Sequence, residues 1–390
     1  MSSRTSATDI DTFDSLVSSI YDAAVNAKRW PLFVQRLAHA LNAPSCLLRV
    51  QDLASNQVGT YITHGLDPEF QKKYTDYYVH IDPLMTLPDQ YLPGTVIQTA
   101  TCMPESFRQS EFYNEYALPQ GMEHILGSFP VRDDARVAVL GVQRPASAGQ
   151  YQAHEVALLD RLMPHLQRAI KISRHLMQVT AKAEAACDVL NRMSVGVILV
   201  DTFGSPVFVN GTAEAMMRAG AGLSIVRNNL QAPTWADTLE LQRLIAAAAS
   251  GDSLKISGSM LISGGAEMQP WNILVAPVNR ENTDELGFEQ SPVAAALFIS
   301  TSDQQVELSL TVLQQLYGFT PAEARLAAAL ANGQSLDTIA VQFMLSKNTL
   351  RSQLKSCFNK TGTVRQAELV KIILCNPAAL LNNTDLPLPD

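Results

Sequence analysis

The chain has 390 residues, 47% of them hydrophobic and 17% charged, and a formal charge of −8. That length exceeds one ordinary domain, and the apolar content is enough for real cores, which excludes a disordered tail carrying one small folded unit. No apolar run approaches the roughly eighteen residues that a membrane-spanning helix needs.

The first residues, MSSRTSATDIDTFD, are polar and lack an apolar core, so no secretory signal is expected and residues 1–12 read as a flexible lead. Cys46, Cys102, Cys187, Cys357 and Cys375 are odd in number and have no CxxC spacing. They read as reduced thiols, neither a disulfide framework nor a zinc site, in a cytoplasmic protein that does not engage membranes.

Residues 13–152 form the first predicted domain. A helix is expected over 13–27, and Trp30-Pro31 opens another. Residues 46–51 and 59–63 alternate as strands, and a Tyr-rich irregular stretch runs from Phe70 to Pro83. Further strands are expected at 95–99, 125–131 and 137–143. Helices, then an antiparallel sheet, then a closing helix make an α+β sensor layout. This order resembles a GAF-type domain, or the related ligand-binding domain of LuxR-type quorum sensors. The resemblance implies a small-molecule effector contacted by Tyr74, Tyr78 and Asp82, with aromatic walls and Asp82 meeting a ligand amide. Read from the residues alone, the same stretch is aromatic core ending in an Asp-Pro turn.

Residues 153–193 read as a long connecting helix. Val156, Leu159, Leu162, Leu166, Ile170 and Leu176 recur every three or four positions, and Pro164 is expected to kink or break it. Such a helix serves either as a dimer seam or as packing for each neighbouring domain. Residues 194–303 follow as hairpin, helices and three strands, the order β-β-α-α-β-β-β. Gly196-Val197, Asp201, Gly204 and Asn210-Gly211-Thr212-Ala213 resemble a PAS domain. All seven histidines precede this segment, so a His-ligated haem is not expected in it. The insert ENTDELGFEQ, 281–290, reads as a solvated acidic loop.

After a helical linker at 304–318, residues 319–375 read as four short helices, and the tail 376–390 as flexible. Leu336, Ile339, Ala340 and Phe343 form one apolar stripe, and Leu350, Leu354, Cys357 and Phe358 another. Only Met344-Leu345-Ser346 lies between them, with Ser346 as N-cap. The outer face of the third helix carries Lys347, Asn348, Arg351, Ser352 and Lys355, types suited to base edges and phosphates. Residues 320–375 hold seven Lys/Arg and three Asp/Glu, about +4 on a chain of −8.

This segment resembles the C-terminal domain of LuxR-type transcription factors over about 55 residues. Matching positions include Thr320, Glu323, Gly333, Ile339-Ala340, Ser346, Thr349-Leu350-Arg351, Leu354, Lys360-Thr361-Gly362 and Arg365. The resemblance implies base contacts from Arg351, Ser352 and Lys355. It implies phosphate contacts from Lys347, Thr349 and Lys360. Ala322, Leu350, Gln353 and Phe358 depart from the usual residues of the family.

No phosphate loop, HExxH, metal-ligand spacing or GxSxG elbow occurs, so no enzyme is expected. The expected protein is therefore multidomain: two α+β sensor domains, GAF-like and PAS-like, and an all-α helix-turn-helix. It would be a homodimeric regulator binding double-stranded DNA, with RNA polymerase as a further partner. The other reading is a scaffold protein whose helical C-terminus docks on another protein.

Overall fold

A computed structural model describes residues 2–220, 222–250, 258–263, 269–278, 293–301 and 308–376. The expected acidic loop at 281–290, the tail from 377 and the start of the linker lie outside the described residues. The chain divides into two compact units, Met1–Lys182 and Ala183–Asp390.

The first unit begins with α1 (Ser2–Val25) and α2 (Trp30–Ala40). The helix thus covers the segment expected as a flexible lead. Five antiparallel strands follow: β1 (Ser45–Asp52), β2 (Val58–His64), β3 (Val96–Gln98), β4 (His124–Ser128) and β5 (Arg136–Arg144). Their spatial order is β2-β1-β5-β4-β3. Alternation along β1 sorts its side chains between the two faces. Cys46 and Leu48 pair with Val142 and Leu140 of β5 and meet α1, α2 and the next long helix in one core. Leu47 and Arg49 pair with Gly141 and Val139 and face the other way.

That second face is covered by the stretch that looked irregular in sequence. That stretch contains α3 (Pro68–Asp76) and 3-10 turns, and the covering layer continues with α4 (Thr99–Cys102) and a π-helical turn, Phe112–Ala117. Asp67 caps α3 by accepting from the Glu69 amide, and Pro68 supplies a helical φ at its first position. These two residues make a helix where the aromatic spacing alone gave none.

The long helix α5 runs unbroken over Ala153–Asn191. The kink expected at Pro164 does not end it. Leu159, Leu162, Met163 and Leu166 anchor the turns on both sides of the proline in the core. Pro164 and Asp160, whose carbonyl loses its helical donor, are both on the exposed side of the helix. Beyond Ser173 the helix is exposed, with Leu176 41%, Met177 62% and Val179 51% accessible.

The second unit opens with β6 (Gly196–Val200), β7 (Pro206–Val209) and α6 (Gly211–Arg218). A small hairpin follows, β8 (Ser224–Val226) and β9 (Asn229–Gln231). Then come α7 (Trp235–Ala249), β10 (Gly258–Ile262), β11 (Trp271–Pro277) and β12 (Ala295–Thr301), with sheet order β10-β11-β12-β6-β7. Asn210 is fully buried at the start of α6 and all its hydrogen-bonding capacity is used. Its Oδ1 accepts from the Val197 and Ala213 amides, and its Nδ2 donates to the Leu190 and Val195 carbonyls. It thereby fastens the end of α5 to the sheet.

The chain closes with α8 (Leu310–Tyr317), α9 (Pro321–Ala331), α10 (Leu336–Gln342), α11 (Lys347–Thr361) and α12 (Gln366–Leu374). Leu313, Leu326, Leu330, Ile339, Leu350, Leu354, Cys357, Leu369 and Ile373 make their shared core. No described helix is long and apolar enough to cross a membrane.

Candidate functional site

Two places carry concentrated polar function. One is the outer face of α11 and the other is the covered face of the first sheet.

The inner face of α11 is held by Leu350, Leu354 and Cys357, all buried, as their three- and four-residue spacing requires. Every other face position follows from that anchoring. Lys347, Asn348, Thr349, Arg351, Ser352 and Lys355 are all exposed. Ser346 caps the helix by accepting from the Thr349 amide at 3.1 Å, a contact worth about 1 kcal/mol. The Thr349 hydroxyl also sits 2.9 Å from the Ser346 hydroxyl. The turn before it holds Met344 in the left-handed region at φ 54°, and this lets the chain reverse within a few residues. Lys347 reaches Asp337 of α10 at 2.8 Å, an exposed pair of small energetic value. Arg351 and Lys355 form no salt bridge among the described residues.

Lys360 is placed differently from the other cations. Its ammonium donates to Glu323 Oε2 at 2.7 Å and to the Gly318 carbonyl at 2.8 Å. Glu323 also accepts from the Thr320 amide, while the Thr320 hydroxyl accepts from the Glu323 amide, closing a capping box at the start of α9. Lys360 therefore ties α11 to α9, with two of its three donors used inside the bundle.

On the first sheet, Arg49 projects from β1 into the covered face and is 4% exposed. Its Nη2 meets Asp82 Oδ2 at 3.1 Å, and the guanidinium lies 4.1 Å over the Tyr74 ring. Tyr74 Oη donates to the same carboxylate oxygen at 2.9 Å, and the Leu84 amide donates to Oδ1 at 2.9 Å. Burial, and then the Asp82 charge, push the Tyr74 hydroxyl well above its ordinary range, so it remains a donor. Beside this network lies a cavity of about 70 Å³, lined by Tyr74, Asp82, Phe112, Tyr116, Met122 and the floor residues Gly127 and Gly141. A methyl group on Gly127 would stand 2.6 Å from the Leu140 carbonyl, so the floor requires glycine there. Tyr78 is buried but does not line the cavity. It stacks on Tyr116 with centroids 4.8 Å apart, behind the wall.

No protein-family model matches the chain, and no curated protein matches it. Among solved structures it is similar to the ligand-binding domain of VqsR from Pseudomonas aeruginosa. The identity is 16%, the TM-score 0.36, and the match covers 42% of this chain and 96% of that one. It is similar to CepR2 from Burkholderia cenocepacia, described as an N-acylhomoserine lactone-dependent LuxR family factor. That match has 16% identity and TM-score 0.33, over 42% and 93% of the two chains. Escherichia coli SdiA matches over 92% of this chain and 95% of its own, at 11% identity and TM-score 0.32. At these scores no likeness carries function to this chain.

Sequence reading found Tyr74 and Asp82 but missed Arg49, Phe112, Tyr116 and Met122. Only Arg49 left a trace, as a cation inside the apolar run Cys46-Leu47-Leu48-Arg49-Val50. A charge in a strand buried on both faces needs a partner. The partner, Asp82, is 33 positions away and is named only by the fold.

Proposed function

We propose that the protein is a DNA-binding transcriptional regulator controlled through its N-terminal sheet domain. In this reading residues 336–361 act as a LuxR-type helix-turn-helix, and Lys347, Asn348, Arg351, Ser352 and Lys355 meet the major groove. The observation that carries it is the solvent-facing arc of cations and amides on α11, opposite a fully apolar anchor. Thr349 and the helix N-terminus are positioned for a phosphate. The unit at 194–301 is read as PAS-like from its sheet order and the Asn210 junction, and the first unit as a sensor whose covered chamber takes a small molecule.

Dimerisation is part of the proposal. Ile172, Leu176, Val179, Ala183, Ala186 and Leu190 follow alternating four- and three-residue steps, the spacing of a coiled-coil seam, and all but Leu190 are exposed. Two copies joined there would present two recognition helices to a two-fold site.

The test is selection of bound duplexes from a random pool by the full chain, followed by anisotropy titration of the enriched site. Arg351→Ala with Lys355→Ala is expected to weaken binding at least tenfold, since each such contact is worth roughly 1–3 kcal/mol. Unchanged affinity in the double variant overturns the assignment of the recognition face. Failure to enrich any duplex overturns the regulator reading in favour of a protein-docking module.

A further inference from the structure

The opposite face of the first sheet, the one that α1 and α2 cover, is only partly closed. Leu48 and Val50 of β1 stand across from Ile62 and Thr60 of β2, and Val50 also pairs with Ala138 of β5. Leu48 is packed into the core, but Val50 and Ile62 are half-buried and Thr60 is exposed. Trp30 at the start of α2 and the middle of α5 wall this floor, leaving a groove of about 440 Å³. Small-molecule sites run from roughly 300 to 1,000 Å³, with apolar walls and few polar groups. From α5 the groove is lined by Ile170, Ser173, Arg174, Met177, Gln178 and Ala181, three and four positions apart on one helix face. At about 100° per residue, Ile172, Leu176 and Val179 of the proposed seam fall on the opposite face. A second copy joined at the seam therefore leaves the groove free. A docked helix is also too bulky, since two turns about 10 Å across displace roughly 800 Å³. A single slender chain fits.

Charge at one end selects the head group. The charged residues lining the groove are Asp133, Arg136 and Arg174. Asp133 pairs with Arg174 at 2.5 Å and accepts from the Ala135 and Arg136 amides. The Arg136 side chain is exposed and forms no salt bridge among the described residues. Asp52 stands opposite it in register, but the Asp52 carboxylate accepts from the Ala54 amide and from the Ser55 amide and hydroxyl. One cation at the end of an apolar trough is thus left over. We propose that the groove is a second binding site, taking an unbranched apolar chain with a carboxylate head, the head at Arg136 and the chain along Val50, Ile62 and Met177 toward Trp30. Four strand residues separate the rows of Arg136 and Leu48, about 13 Å, the reach of a medium-length acyl chain. The site lies on the other side of the sheet from the covered chamber and does not depend on what that chamber binds.

Trp30 reports occupancy, because a bromine carried on the chain quenches indole emission on contact, and the other two tryptophans, Trp235 and Trp271, belong to the second unit. The probes are 11-bromoundecanoate, 11-bromoundecanol and 11-bromoundecyltrimethylammonium, titrated below their micelle concentrations into the full chain without DNA. Salt at about 0.15 M screens the acidic remainder of the protein. The acid is expected to bind about threefold more tightly than the alcohol, the increment of one exposed ion pair, and at least tenfold more tightly than the cation. Arg136→Gln is expected to lower the acid to the alcohol's affinity and leave the alcohol unchanged, which a general loss of fold would not do. Ala181→Trp fills the exposed rim and is expected to weaken the acid at least tenfold, and Trp30→Phe is expected to abolish the quenching. Quenching that persists in Trp30→Phe overturns the proposal, as does an acid advantage that survives Arg136→Gln or full binding by Ala181→Trp. An alcohol bound as tightly as the acid overturns the carboxylate head, and no quenching by any probe overturns the site itself. The regulator reading is judged separately, because DNA binding by α11 is measured in a different titration.

Discussion

Glu323 is 6% exposed, and its carboxyl titrates at about 2. Burial works against its ionisation, but hydrogen bonds from Lys360, Ser356 and Thr320 outweigh that cost. A carboxyl depressed in the folded state stabilises the fold fully above its unfolded value of about 4.5, and the contribution fades as pH falls toward 2. Glu323→Gln is therefore expected to unfold at lower temperature than the parent near neutral pH, with the gap closing below about pH 4.5. Thermal denaturation across that range checks it, and a gap independent of pH would refute the linkage. In the sequence Thr320 and Glu323 stood out only as positions matching the resembled family, and the structure joins them as a capping box. The tether to Lys360 was not legible, because it joins residues 37 positions apart, and no local spacing encodes that distance.

Among the elements, α11 was the most readable. Three- and four-residue spacing named its buried residues, since a helix anchored on one side leaves no freedom for the rest. The covering layer of the first sheet was the least readable. Short helices and 3-10 turns take their shape from the sheet they pack on, so periodicity cannot build up over their length. In α5 tertiary anchoring on both sides of Pro164 outweighed one missing hydrogen bond, so the helix continues through the proline. The exposed half of α5 yields a prediction of its own. Leu176→Glu with Val179→Glu places like charges in the proposed seam, and sedimentation is expected to shift from dimer to monomer while the circular dichroism of the sheets is unchanged. A dimer that survives both charges would place the contact elsewhere.

At the level of the whole molecule, a −8 chain carries one +4 module at its C-terminal end. Acidic surfaces repel a polyanion, so attraction must come from the few cations of that module, chiefly Lys347, Arg351 and Lys355. Binding is expected to fall with salt at a logarithmic slope of about −0.9 for each phosphate neutralised, giving roughly −2 to −3 for those cations in one module. A titration at several salt concentrations measures it, and a flat plot would favour docking on a protein. Composition and charge already separated this module from the remainder of the chain. The arrangement of the remainder, two five-stranded sheets with different neighbours, depended on strand order, which a single sequence does not reveal.

The Arg49–Asp82 pair also has an evolutionary reading. Removing one member of a buried ion pair leaves the other charged and dry, at a cost of roughly 3–5 kcal/mol, so neither residue is free to drift alone. Descendants of this chain are expected to keep both letters or exchange both together. Two alignment columns would then sort related chamber domains into those with a sealed carboxylate and those that offer it to a guest.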